Sequence, residues 1–201
     1  MNYLLDSHTH TVASGHAYST VLEMARAAAE KGLELLCITD HAPGMEGTTC
    51  RDYFANSRVI DRELFGVQIM VGAELNLMDC EGRMDLDTAM LAKLDLAIVS
   101  LHTKCLPTGG CAETYTHGLL EAMKNPYVNI IGHPDDGRYP LDYPALVRAA
   151  GEAGVLLEVN NSSLTPGSFR VDAPHHCAEM LRECKKQGVP VVVGSDAHFF
   201  S

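Results

Sequence analysis

The sequence predicts an α/β fold in which seven short parallel strands, alternating with helices, close into a barrel. Three observations carry this reading. Short apolar, β-rich runs recur along the chain, each run ends in polar residues, and a stretch of helical periodicity separates most runs from the next. Such short runs, bounded by glycine or polar residues, suit fully buried parallel strands. Seven strands in series with helices between them suggest closure, although periodicity alone leaves an open doubly wound sheet as the alternative.

The runs fall at 3–5, 35–38, 69–72, 96–99, 128–131, 155–159 and 191–193. Before the second, Thr20 and Glu23 have the spacing of a capping box, in which hydroxyl and carboxylate satisfy opposing orphan amides. Val21, Met24, Ala25 and Ala28 then supply an apolar helical stripe that Gly32 is placed to end. Tyr143, Leu146, Val147 and Ala150 repeat the stripe up to Gly154, and Cys177, Met180, Leu181 and Cys184 repeat it up to Gly188. Weaker helical patterns cover 52–64, 87–94 and 113–124.

A chain of 201 residues with 46% hydrophobic and 20% charged residues is enough for one domain with a sizeable core, here taken as 1–201. No apolar run is long enough to cross a bilayer, and the first residues lack a signal peptide's basic region and cleavage site. A cytoplasmic location is the expectation, with no membrane partner. Seven cysteines, an odd number with no Cys-x-x-Cys pair, argue against a disulfide framework, and Cys177 and Cys184 read as packing residues. The net charge of −11 counts against extended nucleic-acid contact. Divalent cations in one cleft would still make a local anion-attracting pocket.

The residues that follow the runs carry the chemistry. They are Asp6-Ser7-His8-Thr9-His10, Thr39-Asp40-His41, Gly72-Ala73-Glu74, Ser100-Leu101-His102, Gly132-His133-Pro134, Asn160-Asn161-Ser162-Ser163 and Gly194-Ser195-Asp196-Ala197-His198. Six of the seven runs therefore end in a histidine or acid, and in a parallel barrel all those ends lie on the rim where active sites form. His8 and His10 are two apart, so on a strand both rings project to one face, and Asp196 and His198 repeat that spacing. His16 lies close in sequence to the first pair. Taken singly, His102 or His133 would read as a backbone cap and Glu74 as a surface acid. Nine such residues over six strand ends read as a metal cluster, with imidazole and carboxylate ligands suited to zinc, manganese or iron. His117, His175 and His176 fall away from strand ends and stay outside it.

Taken together these blocks resemble the PHP (polymerase and histidinol phosphatase) superfamily, most closely its YcdX-like bacterial phosphatase branch. The resemblance runs in order through the whole chain. It implies a distorted seven-stranded TIM-like (β/α)7 barrel holding three divalent metal ions, usually zinc. Position by position it implies His8, His10, Glu74 and Asp196 as ligands of a first metal. A bridging Glu74 with His102 and His133 is implied for a second, and His16, His41 and His198 for a third. In one respect the chain departs from the pattern. Members normally continue past the Asp-x-His motif with further helical sequence, whereas this chain ends at Ser201, so the last helical cover is expected to be missing and apolar surface exposed beside the first and last strands.

The implied activity is hydrolysis of a small-molecule phosphate monoester by a metal-activated hydroxide at the trinuclear site. Glu74 and Asp196 would act there as metal-bound carboxylates, and Asp40 as a carboxylate orienting a ligand imidazole. Arg138, Arg170 and Lys104, on the loops after the fifth, sixth and fourth strands, are candidates for the substrate phosphate; Asn161 and Ser162 are candidates for hydrogen bonds in the pocket. The alternatives are histidinol-phosphate phosphatase, a PHP-type nuclease, which the acidic charge opposes, and a non-catalytic metal-binding domain. A metal-dependent amidohydrolase shares the barrel-rim logic with a different ligand pattern.

Overall fold

The structure, a computed structural model, describes residues 4–200. Its parallel strands β1 (Leu5–Thr9), β2 (Leu35–Ile38), β4 (Val67–Asn76), β5 (Leu96–Ser100), β6 (Ile130–Ile131), β7 (Leu156–Asn160) and β8 (Val191–Gly194) follow one another around a single sheet. A two-residue strand β3 (Glu63–Leu64) pairs antiparallel with the start of β4. The two ends of the sheet meet. Asp196 N–H donates to the His8 carbonyl at 2.8 Å and His10 N–H to the Ala197 carbonyl at 2.9 Å. Asp6 adds a clasp by accepting the Ser195 N–H at 2.9 Å. The sheet is a nearly closed barrel, which decides against the open alternative.

The helices start and stop where side chains satisfy their free ends. The capping box of α1 (Val21–Glu30) is formed: Glu23 N–H donates to the Thr20 hydroxyl, and Thr20 N–H to the Glu23 carboxylate at 2.7 Å. Asp142 caps α5 (Tyr143–Ala153), and Gly154 ends it at φ +71°, a left-handed conformation that suits glycine. The short helices α2 (Arg51–Ala55), α3 (Thr88–Leu91) and α6 (Asn161–Leu164), with α4 (Ala112–Ala122) and α7 (Ala173–Gln187), complete the alternation.

Several element bounds differ from the sequence reading. The helix expected over 52–64 stops at Ala55, gives one 3-10 turn and then becomes strand β3. Phe65 and Gly66, both at positive φ, form the tight turn that folds β3 onto β4, and pairing with β4 outweighs a weak helical pattern. The first strand starts at Leu5, and Tyr3 lies outside the described residues. Strands β1 and β4 run on through the polar residues expected after them, so His8 and Glu74 sit within strands. A barrel strand can carry a polar residue wherever that residue points inward to partners.

The core lies mainly between the sheet and helices α4, α5 and α7. Leu119, Leu146, Val147, Met180, Leu157 and Val99 are buried together there, as are Cys177 and Cys184. Burying one such aliphatic side chain is worth about 1.5–3 kcal/mol. A second cluster sets Met24, Ala25 and Ala28 of α1 against Leu36, Ile38, Val67, Ile69 and Val71. Cover is uneven around the barrel. All five residues of β5 are buried, whereas Val191, Val192 and Val193 of β8 are only half-buried and Leu4 and Leu5 are exposed. No helix of the described residues is long and apolar enough to cross a membrane.

Candidate active site

The C-terminal strand ends converge on one cavity of about 860 Å³. At and just beneath its floor lie His8 from β1, His10 immediately after that strand, Glu74 from β4, and Asp196 just beyond β8, all buried. His8 Nε2 and His10 Nε2 are 3.1 Å apart. Glu74 Oε2 is 3.4 Å from each of them. Asp196 Oδ1 is 3.8 Å from His8 Nε2 and 3.2 Å from His10 Nε2. The other oxygen of the same glutamate, Oε1, lies 2.9 Å from His133 Nε2 and 3.3 Å from His102 Nε2. Toward the mouth, His16 Nε2 and His198 Nε2 are 3.1 Å apart, and the His41 ring lies 4.9 Å from that of His16.

The remaining ring nitrogens show which atoms are free for a ligand. The Glu158 carboxylate accepts the Nδ1–H of His8 at 2.8 Å. Ser14 spends its only proton on Asp40 at 2.7 Å, so its oxygen is left to accept the Nδ1–H of His10 at 3.0 Å and the His41 N–H at 3.1 Å. With both Nδ1 atoms donating, the Nε2 lone pairs of His8 and His10 face each other, and only a cation between them, a proton or a metal ion, relieves that. Metal–ligand bonds of about 2.0–2.1 Å place tetrahedral ligand atoms about 3.3 Å apart, close to most of the spacings found among these four residues. His41 Nδ1 lies 2.8 Å from Glu74 Oε2, yet the pair is not aligned as a hydrogen bond and both atoms are buried without a hydrogen-bond partner. The donor set fits divalent metal ions.

Charge points the same way. Burial opposes ionisation of Glu74, but His102, His8 and His41 hold its carboxyl well below the usual range. Asp196, equally desolvated, is held down by His8, His10 and Arg170. Burial depresses His8, and the surrounding Glu158, Glu74 and Asp196 more than reverse this, raising it well above its ordinary value. For His10 burial wins and the pKa falls. So many buried carboxylates against one buried guanidinium call for added positive charge.

Two backbone features hold this arrangement. His133 and Asp196 adopt positive φ, +28° and +56°, and the strained His133 amide is anchored by donating to Glu158 at 2.7 Å. Gly194 has no room for a side chain, since a Cβ there would press into the Glu158 carboxylate and His8.

Other expected residues have different neighbours. Asp40 is buried and accepts from Thr11 N–H, the Thr11 and Ser14 hydroxyls and the Tyr53 hydroxyl. It therefore reaches a ligand ring, His10, only through Ser14, and makes no side-chain bond to its neighbour His41. Arg170 is also buried. Its terminal nitrogens are committed to Asp196 Oδ2 at 2.8 Å and to Asn160 and Ser163 at 3.2 Å, so it holds a candidate metal ligand. Arg138 is gripped by both Asp136 oxygens. Lys104, Asn161 and Ser162 line the cavity. His117 pairs loosely with Glu81 in a turn, and His175 and His176 with Glu179 on the same helix.

Residues not singled out from the sequence are as informative. Glu158 and Ser14 orient His8 and His10, and Asn76 accepts the His102 Nδ1–H at 2.7 Å while donating to Asp85 at 2.6 Å. A signal existed for Glu158, a carboxylate inside an apolar strand, because a buried charge needs partners. Nothing in the local sequence marks Ser14.

Comparison with known proteins adds lineage to this geometry. The PHP domain family profile matches residues 6–162. A "Probable phosphatase" of Thermoanaerobacter sp. (strain X514) is 46% identical over 198 residues, covering 98% of this chain and 80% of that protein. Another, of Caldanaerobacter subterraneus subsp. tengcongensis, is 48% identical over 98% of this chain and 77% of its own. Among solved structures, the histidinol phosphate phosphatase of Lactococcus lactis, complexed with zinc, L-histidinol and phosphate, shares the fold. Its TM-score is 0.64 at 19% identity, covering 98% of this chain and 87% of that one.

Proposed function

This chain belongs to the PHP domain family, and from that premise we propose that it hydrolyses a small-molecule phosphate monoester at a cluster of three divalent metal ions. The observation that carries the reading is the convergence of His8, His10, Glu74 and Asp196, whose ligand atoms face one point while their other polar atoms are occupied by Glu158, Ser14, His133 and Arg170. These four residues would hold one ion. Glu74 with His102 and His133 would hold a second, and His16, His41 and His198 a third. His41 Nδ1 lies 2.8 Å from Glu74 Oε2 while its ring stacks 4.9 Å from that of His16, so it stands between the two seats. Zinc, manganese and iron all suit such ligands. The Lactococcus enzyme of the same fold, crystallised with zinc and phosphate, supports the choice of metal and reaction.

Divalent ions held there would supply Lewis-acid chemistry, lowering the pKa of water and neutralising phosphate charge. Overall, water oxygen bonds to phosphorus, the ester P–O bond breaks, and the alcohol leaves with one of the water's protons. The chain's own part is positioning. Glu158, Ser14 and Asn76 fix which nitrogen of His8, His10 and His102 faces inward, and Asp40, held by Thr11 and Tyr53, keeps Ser14 oriented. Arg170 keeps Asp196 in place. Lys104 and Arg138 bring positive charge to the cavity wall, where a substrate phosphate enters.

The test is a panel of phosphate monoesters, including histidinol phosphate, with a phosphodiester and an oligonucleotide, each assayed on protein loaded with zinc, manganese or iron. Release of phosphate from monoesters, abolished in Glu74→Gln, is the expected result. Cleavage of the oligonucleotide alone would replace this reading with a nuclease, and metal retention without any hydrolysis would replace it with a non-catalytic domain.

A further inference from the structure

The cavity is far larger than a phosphate group, and its volume lies in the range of sites that enclose whole small molecules. One continuous stretch, 165–170, forms a wall of it. That wall is anchored at both ends. Thr165 Oγ1 donates to the Asn161 carbonyl at 3.0 Å, Ser168 N–H to the Thr165 carbonyl at 3.0 Å, and Arg170 is bolted to Asp196 at 2.8 Å. Just beyond it, Gly137 N–H donates to the Val171 carbonyl at 2.8 Å, tying the wall to the loop that carries Asp136 and Arg138.

From this fixed wall Phe169 faces the cavity, 69% exposed. Such exposure gives the ring little burial energy of its own. It is held by cations: the guanidinium carbons of Arg138 and Arg170 each lie 5.2 Å from its centroid. Both arginines are themselves fixed by carboxylates, Asp136 and Asp196, so the ring cannot easily swing away. An exposed aromatic ring clamped at the wall of a hydrolytic cavity has the form of a packing platform.

We infer that Phe169 sets substrate preference by packing against a planar ring in the leaving group, so that the substrates are phosphate monoesters of ring-bearing alcohols. The inference rests on the phosphatase reading. Arg138 is the positioning residue for the platform, and Arg170 couples it to the candidate metal ligand Asp196.

The test compares benzyl phosphate with cyclohexylmethyl phosphate and butyl phosphate, whose alcohols leave with similar ease but differ in planarity, on metal-loaded enzyme. Binding of benzylphosphonate and butylphosphonate, which are not hydrolysed, is measured by calorimetry on the same samples. The wild type should prefer benzyl phosphate through a lower KM. In Phe169→Ala that preference should shrink by about fivefold to tenfold, the range of one aromatic contact, and Phe169→Tyr should restore it. Benzylphosphonate affinity should fall in step and butylphosphonate affinity should change less. Equal losses on all three esters, or a wild type indifferent to planarity, would overturn the platform. Absence of hydrolysis in wild type with phosphonate discrimination intact would overturn the phosphatase reading and leave the platform standing.

Discussion

The two sides of the cavity are built on opposite principles. On the floor, His8, His10 and Glu74 are buried in or beside strands, and their non-facing polar atoms are taken by Glu158, Ser14 and His133. On the wall, Lys104, Arg138 and Phe169 stand on loops, exposed or partly so; Arg138 is steadied by the Asp136 carboxylate and Phe169 by the guanidinium groups beside its ring. The floor is rich in negative charge and suited to cations, and the wall is cationic and aromatic and suited to an anionic ester. The difference teaches where each task can reside. Placement of the buried ligands draws on the fixed strand ends of the barrel, whereas recognition needs surface that substrates can reach.

Substitutions should rank accordingly. Glu74→Gln removes the one carboxylate that faces both inner seats, and phosphatase activity should fall by about 1,000-fold or more, with metal lost in parallel by elemental analysis. Glu158→Gln leaves every proposed ligand in place but weakens the hold on His8, and metal affinity should drop by about 10–100-fold in a competition titration. An effect as large as that of Glu74→Gln would blur the line between ligand and support. On the wall, Lys104→Ala should raise KM by about fivefold or less, with the effect shrinking as salt is added.

A pH experiment sharpens the same contrast. In metal-free protein the cation between His8 and His10 is a proton, and the pKa of His8 is raised above its ordinary 6.5. A raised pKa gives stability that is complete below the unfolded value and lost as pH rises through the folded one. The Tm of metal-free protein should therefore fall from neutral into alkaline pH, while zinc-loaded protein should hold its Tm across that window. Parallel curves for the two forms would remove the proton, and with it the metal, from that position.

Much of the floor was legible in the sequence because a parallel barrel sends every strand's C-terminal end to one rim, and His8, His10, Glu74, His133 and Asp196 are residue types with few other reasons to cluster there. The supports were harder to read. Glu158 was visible as a charge within an apolar run, but its partner His8 is 150 positions away in the chain. Ser14 looks like any loop serine until folding places it between Asp40 and His10. Arg170 looked available to substrate, yet the turn before α7 folds it inward onto Asp196. The helix expected over 52–64 failed for a related reason, since pairing of Glu63 and Leu64 with β4 is a contact no local pattern encodes.

The central claim is that these side chains hold a cluster of divalent ions. It is tested most directly by loading metal-free protein with zinc, manganese or iron, removing unbound ions and counting metal per chain by elemental analysis. About three equivalents of one of these metals should be retained, as the three proposed ligand sets require. Retention of none from any of the three would contradict the account, hydrolysis included.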